Sequence, residues 1–389
     1  MILTLALLAL AAAPPDGRES LVQQGFDHFY NLEYDQAIAD FERAIARDPA
    51  SPDFHNHLAQ TLVFREMYRN GALESELVSG TNSFLRRPKL NPPPETEKRF
   101  LGEIAASMDL SEAILRKNPR DTAAMYALGI AHALRSNYYW VVKKAWHDSL
   151  KDATAARRLH NRVAELEPGN LDARLVDGLH EYILGSLPWH YRMLGFLIGL
   201  HGDKQKGIRI VEDVAKNGSL NRVDAEILLC ALHRRENKTR LAIPLVADLI
   251  EKFPRNFLLR LELSQMYSMA GDKAHALEAV EQVALLKKRH APGYQRVPWE
   301  KIWFQEGTIE FWYNDLDRAL ENMRKVAARS EDLDLNTGVY AWLRIGQICD
   351  LTQQRAAALE AYQKAIAFAP QAEAAQESRK YLAVPYHRL

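Results

Sequence analysis

Small side chains recur along this chain at fixed intervals, and that ruler constrains the fold more than any other feature. Gly25, Ala37, Ala44 and Pro49 stand at successive spacings of twelve, seven and five, and Gly346, Ala358, Ala365 and Pro370 repeat those spacings at the other end. The same ruler fits Cys230, Ala242, Leu249 and Pro254, then Ser264, Ala276 and Val283, then Gly307, Ala319 and Val326. Two antiparallel helices joined by a short turn approach closely only where facing side chains are small. The first small residue and the alanine after it therefore mark where helix A crosses helix B, and the third position lets helix B meet the next helix A. Proline, which lacks an amide hydrogen and clashes with the preceding turn, closes helix B. One hairpin buries too little to stand alone, so neighbours must stack to supply the core.

A unit of about 34 residues follows, and "NLEYDQAIADFERAIARDPAS" and "AWLRIGQICDLTQQRAAALEAYQKAIAFAPQ" resemble the tetratricopeptide repeat. The resemblance implies an all-α, right-handed α-solenoid of helical hairpins whose helices A line a concave groove. Residues 18–389 are expected to form one such superhelix. Its parts are an irregular stretch 18–121 with a Pro-rich connector at 86–94, a part 122–221 with a lengthened helix, regular repeats over 222–370 and a capping helix at 371–384. Gly129 marks a helix A whose closing proline, Pro168, comes late, so its helix B is expected to run through "YYWVVKKAWHDSLKDATAARRLHNRVAEL", with Tyr138, Tyr139, Trp140 and Trp146 filling the space against neighbours. In the apolar stretch 187–203, Gly195, Gly207 and Val214 keep the twelve-and-seven spacing, which predicts helix A over "PWHYRMLGFLIGL" and helix B over "KQKGIRIVEDVAKNG". "KRHAPGYQRVPW" reads as an inserted loop. The extended helix followed by Gly202, Asp203, Gly207 and Val211 also resembles the inclusion-body-clearance/tetratricopeptide-39 family over residues 120 to 290. That likeness implies a non-enzymatic protein, some of whose relatives associate with organelle membranes or lipid droplets.

Residues 1–13, within "MILTLALLALAAAPPDG", have the short apolar run and small-residue end of a secretory signal, although no Lys or Arg precedes Arg18. Export to the periplasm or beyond is the expectation; an uncleaved anchor or a buried first helix is the alternative. No later apolar stretch approaches the roughly 20 residues needed to span a bilayer. Basic and acidic residues balance at 50 each, leaving no net field for a polyphosphate backbone, so nucleic acid is not expected as the main ligand.

The chain carries no G-x-S-x-G, H-E-x-x-H, P-loop or dinucleotide fingerprint, and no catalytic, cofactor or metal residue is assigned. Cys230 and Cys349 stand far apart in helical patterns and read as buried free thiols. His28, His132 and His233 each follow their small marker by three residues. They lie at one depth in different hairpins, cannot converge on a metal, and read as half-buried imidazoles hydrogen-bonded between helices.

Positions just after each marker, and three or four beyond, are expected to face the groove: Phe26, Phe29 and Tyr30, Ile130, Leu179 and Tyr182, Phe196, then Phe311 and Trp312, with polar Arg234, Gln265, Gln347 and Asp350 in the later hairpins. Such a lining holds a partner's hydrophobic helix or extended peptide, or is covered by the chain's own helices. The leading functional expectation is a non-catalytic scaffold or adaptor with a protein or peptide partner in the groove. A peripheral membrane or lipid-associated protein using residues 187 to 200 comes second, and a hydrolase with a dispersed site third.

Overall fold

A computed structural model describes residues 17–69, 73, 92–189, 193, 201–329 and 335–388. The expected signal at 1–13, most of the connector, and Gly195 and Phe196 lie outside the described residues. Within them the chain is all-α, with helices α1 (Gly17–Tyr30), α2 (Tyr34–Arg47), α3 (Pro52–Arg69), α4 (Pro94–Lys117), α5 (Thr122–Tyr138), α6 (Trp146–Leu166), α7 (Leu175–Gly185), α8 (Lys204–Asn217), α9 (Arg222–Arg235), α10 (Thr239–Lys252), α11 (Phe257–Met269), α12 (Lys273–Lys288), α13 (Trp299–Trp312), α14 (Leu316–Ala327), α15 (Leu335–Leu351), α16 (Arg355–Phe368) and α17 (Glu373–Ala383). Each odd-numbered helix from α1 to α15 pairs with the one after it, and α17 covers the last hairpin.

Small residues stand at the crossings. A Cβ at Gly25 would lie 2.6 Å from the Phe41 ring, one at Gly307 would lie 3.1 Å from Met323, and one at Gly346 would press into Tyr362; in each case the partner is sixteen residues on. The marker alanines Ala37, Ala242, Ala276, Ala319 and Ala358 are fully buried. The hairpin turns share a device the ruler does not display. Seven residues after the marker the chain turns left-handed, at Leu32 (φ 63), Asn237 (φ 56), Gly271 (φ 86), Asn314 (φ 66) and Gln353 (φ 61). The next amide then donates back across the turn, Glu33 N–H to His28 O at 2.9 Å and Gln354 N–H to Cys349 O at 2.7 Å, which closes the end of helix A. Glycine and asparagine tolerate this backbone; for Leu32 and Gln353 it costs about 1 kcal/mol each.

The third and fourth hairpins keep the crossing and lengthen the path between its partners. A Cβ at Gly129 would lie 2.7 Å from the His160 ring and one at Gly178 2.8 Å from Ile210, thirty-one and thirty-two residues on rather than sixteen. The expected continuous helix B from Tyr138 to Leu166 is corrected: α5 runs into a π turn, Tyr139–Lys143, Lys144 takes φ 54, and α6 begins only at Trp146. Of the four aromatics there, Tyr138 is buried, whereas Trp146 is exposed to 64%. In the fourth hairpin α8 is the expected helix B, and among the described residues its partner is α7; most of the expected helix A, 188–200, lies outside them. A Cβ at Gly207 would lie 2.5 Å from Tyr182 N and 2.6 Å from Gly178 O, so the Gly195–Gly207 spacing does not mark the crossing. The intervening residues are an insertion. Its two ends meet where a Cβ on Gly185 would press into the Lys204 backbone and one on Gly202 would lie 2.6 Å from Glu181 O.

The coil curls until its first hairpin touches the turn between α10 and α11. The Arg255 amide donates to Asn31 Oδ1 at 2.9 Å, its guanidinium spans Glu33 at 2.9 and 3.0 Å and reaches Asp27 at 2.5 Å, and Asn256 Nδ2 donates to Tyr30 O at 2.7 Å. Leu32 and Tyr68 join the apolar cluster around Phe257 and Ile309. The loop at 289–298 docks on the same turn: Tyr294 O–H donates to Pro254 O at 3.1 Å, and Gly293, at φ 84, presses on the Arg255 carbonyl where a side chain would clash.

Two glycine substitutions separate crossing contacts from helix propensity. Gly102→Ala on α4 meets nothing within 4 Å and is expected to stabilise by about 0.5–1 kcal/mol. Gly207→Ala meets backbone that cannot give way and is expected to destabilise by about 2 kcal/mol or more. Urea unfolding of both variants checks the opposite signs; equal effects would mean that Gly207 does not mark a crossing.

Candidate functional site

The residues expected to line the groove fall into two groups. Those of the first hairpin are occupied by the chain itself. Phe26 packs edge-on against Phe41 and His57, with ring centres 5.3 and 4.7 Å apart, and Phe29 is buried against Phe64 at 5.2 Å. Tyr30 lies 4.8 Å from the Phe253 ring and donates its hydroxyl to Asp224 at 3.0 Å. Asn221 Nδ2 donates to the Tyr126 hydroxyl at 2.5 Å nearby.

In the middle hairpins Ile130 and Leu179 are half-buried. Tyr182 is buried, and its hydroxyl donates to Glu236 at 2.9 Å, an arrangement in which burial and the carboxylate push it up to about 12. The polar positions satisfy one another along successive helices A. Arg234 is bidentate on Glu262 at 2.6 and 2.7 Å and also donates to Gln265 at 2.5 Å; Gln265 in turn donates to Gln305 at 3.1 Å.

The last hairpins differ. Phe311 is fully buried, but Trp312 beside it is 54% exposed, and the Arg344 guanidinium stands 4.7 Å from the first ring and 4.9 Å from the second. Arg344 is closely enclosed by protein, and burial lowers its pKa despite the Glu377 carboxylate in electrostatic reach. It donates a hydrogen bond to Gln347 Oε1 at 2.6 Å. Asp350 closes this face: its side chain is inaccessible to water and accepts from Arg355 at 2.9 and 3.1 Å and from the Tyr362 hydroxyl at 2.8 Å. Arg344 and Arg355 follow no marker offset, which is why sequence reasoning passed over them.

His28 and His132 are held between helices, each donating from Nδ1 to a carboxylate, Asp40 and Asp152, at 2.7 Å, whereas among the described residues His233 Nδ1 is buried with no hydrogen-bond partner. Burial drives the Asp152 carboxyl upward, but hydrogen bonds from Arg135 and His132 outweigh it and hold the group down at about 2. The described residues contain no group of three or more His, Cys, Asp or Glu side chains able to hold a metal. Both cysteines are buried and unpaired, and burial pushes the Cys230 thiol up to about 12.

Asp224 makes the closure of the coil sensitive to pH. Water still reaches it, yet surrounding protein raises its carboxyl to about 6, the Tyr30 hydroxyl offsetting only part of the shift. The folded chain therefore holds this proton more tightly than the unfolded chain does. The associated stabilisation is complete below about pH 4 and is lost as pH rises through 6. Asp224→Asn is expected to gain about 1–2 kcal/mol over wild type at pH 7.5 and little at pH 4. Urea melts at the two pH values test this, and an unchanged difference between them would overturn it.

The tetratricopeptide repeat family matches residues 22–63 and again residues 339–371. Comparison with curated proteins finds no match. Among solved structures the chain is similar to the APC/C hetero-tetramer Cut9–Hcn1, with a TM-score of 0.51 and 14% identity over 96% of this chain and 57% of that one. It is also similar to yeast Tom70 (TM-score 0.39, 12% identity, 94% and 95% covered) and to the human IFIT1 dimer with m7Gppp-AAAA (TM-score 0.47, 14% identity, 96% and 86% covered). The chain thus spans little more than half the length of the first structure, and at these identities the likeness is one of fold. The matched repeats at both ends and the hairpin stack between them make this chain a tetratricopeptide-repeat protein, an all-α helical-repeat solenoid.

Proposed function

We propose that the protein is a non-catalytic scaffold or adaptor that holds a partner polypeptide on the face formed by α13 and α15. The observation that carries this reading is Trp312. Phe26, Phe29, Tyr30, Tyr182 and Phe311 serve the chain's own contacts, while Trp312 stays 54% exposed with the Arg344 guanidinium stacked on it. Tryptophan and arginine are the side chains that most often anchor a protein interface, and an indole backed by a guanidinium presents a flat apolar surface with a charged rim. Trp312→Glu is expected to leave folding within about 0.5 kcal/mol of wild type and to reduce partner co-purification about tenfold or more. Capture at wild-type level by a variant with unchanged melting would count against this face.

A second reading, contact with a lipid surface, has its own support. Trp146 and Trp189 are 64% and 72% exposed, and Leu150, Ile183 and Met193 are exposed as well. Arg157 on α6 donates to Asp177 on α7 at 2.9 Å, which ties together the helices that carry Leu150 and Ile183. Tryptophan favours the boundary between membrane and water, and no helix among the described residues is long and apolar enough to cross a membrane, so the contact would be peripheral. Flotation with anionic vesicles is expected for wild type and abolished by Trp146→Ser with Trp189→Ser; wild type that stays at the bottom of the gradient removes this reading.

A further inference from the structure

Beyond α17 the chain turns back along the molecule. Val384 is extended, at φ −123 and ψ 121, and Tyr386 and Arg388 are half-buried while Pro385 and His387 between and before them are exposed. An alternation with a period of two is how an extended segment presents itself to a surface. The Tyr386 amide donates to Asp350 Oδ2 at 2.8 Å, and its ring lies 5.2 Å from Tyr381 and 6.2 Å from Phe311. Arg388 donates to the Phe311 carbonyl and to Asn314 Oδ1, the latter at 3.1 Å, with its guanidinium 4.6 Å from the Phe311 ring centre.

The receiving surface has supports of its own. Asp350 is held by Arg355 and Tyr362, Arg355 is anchored on the Tyr381 and Leu382 carbonyls at 2.8 and 2.9 Å, and Asn314 is fixed in the left-handed turn after α13. On the strap's side the fit is incomplete. Among the described residues Arg388 Nε is buried without a hydrogen-bond partner, and two guanidiniums, those of Arg344 and Arg388, stand over one phenyl ring with no carboxylate among their hydrogen-bond partners there. Like charges so placed repel. The strap also leaves Trp312 exposed.

We propose that this surface is a binding site for an extended polypeptide carrying an aromatic residue followed two positions later by arginine, and that residues 384–388 are its resident occupant, displaced by a partner segment of the same chemistry. The inference rests on the reading of α13 and α15 as the partner face. A tethered occupant has an effective concentration on the order of millimolar, so a partner segment must add contacts the strap does not make, and Trp312 offers one.

The test uses a chain ending at Ala383 and the synthetic peptide Val-Pro-Tyr-His-Arg-Leu, titrated by calorimetry. The shortened chain is expected to bind the peptide at least about tenfold more tightly than the full chain does, and replacing the peptide's Tyr or Arg by Ala is expected to weaken binding about tenfold. Equal affinity for the two chains, or no binding to a shortened chain that melts as wild type, would overturn the inference. Where shortening lowers the melting temperature, full-length Tyr386→Ala with Arg388→Ala takes its place, judged by the same outcomes. Partner capture that is lost on Trp312→Glu while the peptide binds neither opened chain would sink the resident-ligand idea and leave the adaptor reading standing. Capture indifferent to Trp312→Glu would do the reverse.

Discussion

Asn256 serves two helix ends at once. Its side-chain oxygen accepts from the Leu258 and Leu259 amides at the start of α11, and its nitrogen donates to the Tyr30 carbonyl in the last turn of α1. Helix ends are where backbone hydrogen bonding runs out, and an asparagine cap is worth about 1 kcal/mol for one end alone. Around it the half-buried Arg255 holds Glu33 and Asp27, and Tyr294, itself accepting from Arg260 at 2.8 Å, reaches Pro254 from the far side. Three hairpins meet on one short turn. In an open solenoid each repeat feels only its neighbours; here the first hairpin is tied to the fifth and sixth, so its loss exposes surface on three units rather than one.

The legible part of the fold is the part written in adjacent residues. Gly25, Gly307 and Gly346 fall where helices touch, and α17 fills the place expected of a cap. The ruler misled where a crossing was kept but the path between its partners grew. Gly195 lies at the right distance from Gly207, yet the backbone against Gly207 belongs to Gly178 and Tyr182. Spacing measures contour, and an insertion at the turn changes contour without changing contact. The left-handed turn residues were hidden for another reason: of the five, only Gly271 is glycine, and at Leu32 and Gln353 hairpin packing sets the backbone against the residue's own preference.

Contacts across the coil leave no periodic trace. Arg255 and Glu33 are 222 positions apart, and neither has a sequence neighbour that announces the other. The same holds for Asp350 and the amide of Tyr386. Histidines at one offset show how far position alone can be trusted: those of the first and third hairpins find a buried aspartate, while burial lowers the pKa of His233 and outweighs the Glu212 carboxylate that opposes it.

The division of the inner residues follows from the end of helix A. Four residues after the marker stand Phe29, Tyr182, Arg234, Phe311 and Asp350, whose side chains are buried, with Ala133 and Ser268 half-buried. One residue further stand Tyr30, Leu134, Ile183, Arg235, Met269, Trp312 and Leu351, of which Tyr30, Leu134 and Leu351 are half-buried and the other four exposed. A helix advances about 100° per residue, so the earlier position points into the next hairpin and the later one away from it. The earlier position builds the coil, and the later one is presented by it. Tyr30 is covered because the α10–α11 turn lies opposite it, and Leu134 and Leu351 because they pack on neighbouring apolar clusters. Where no such element faces the position, as at Trp312, the solenoid leaves an aromatic surface that its own stacking does not require. That makes the fifth position, rather than the fourth, the place where these hairpins can differ in what they bind without differing in how they fold.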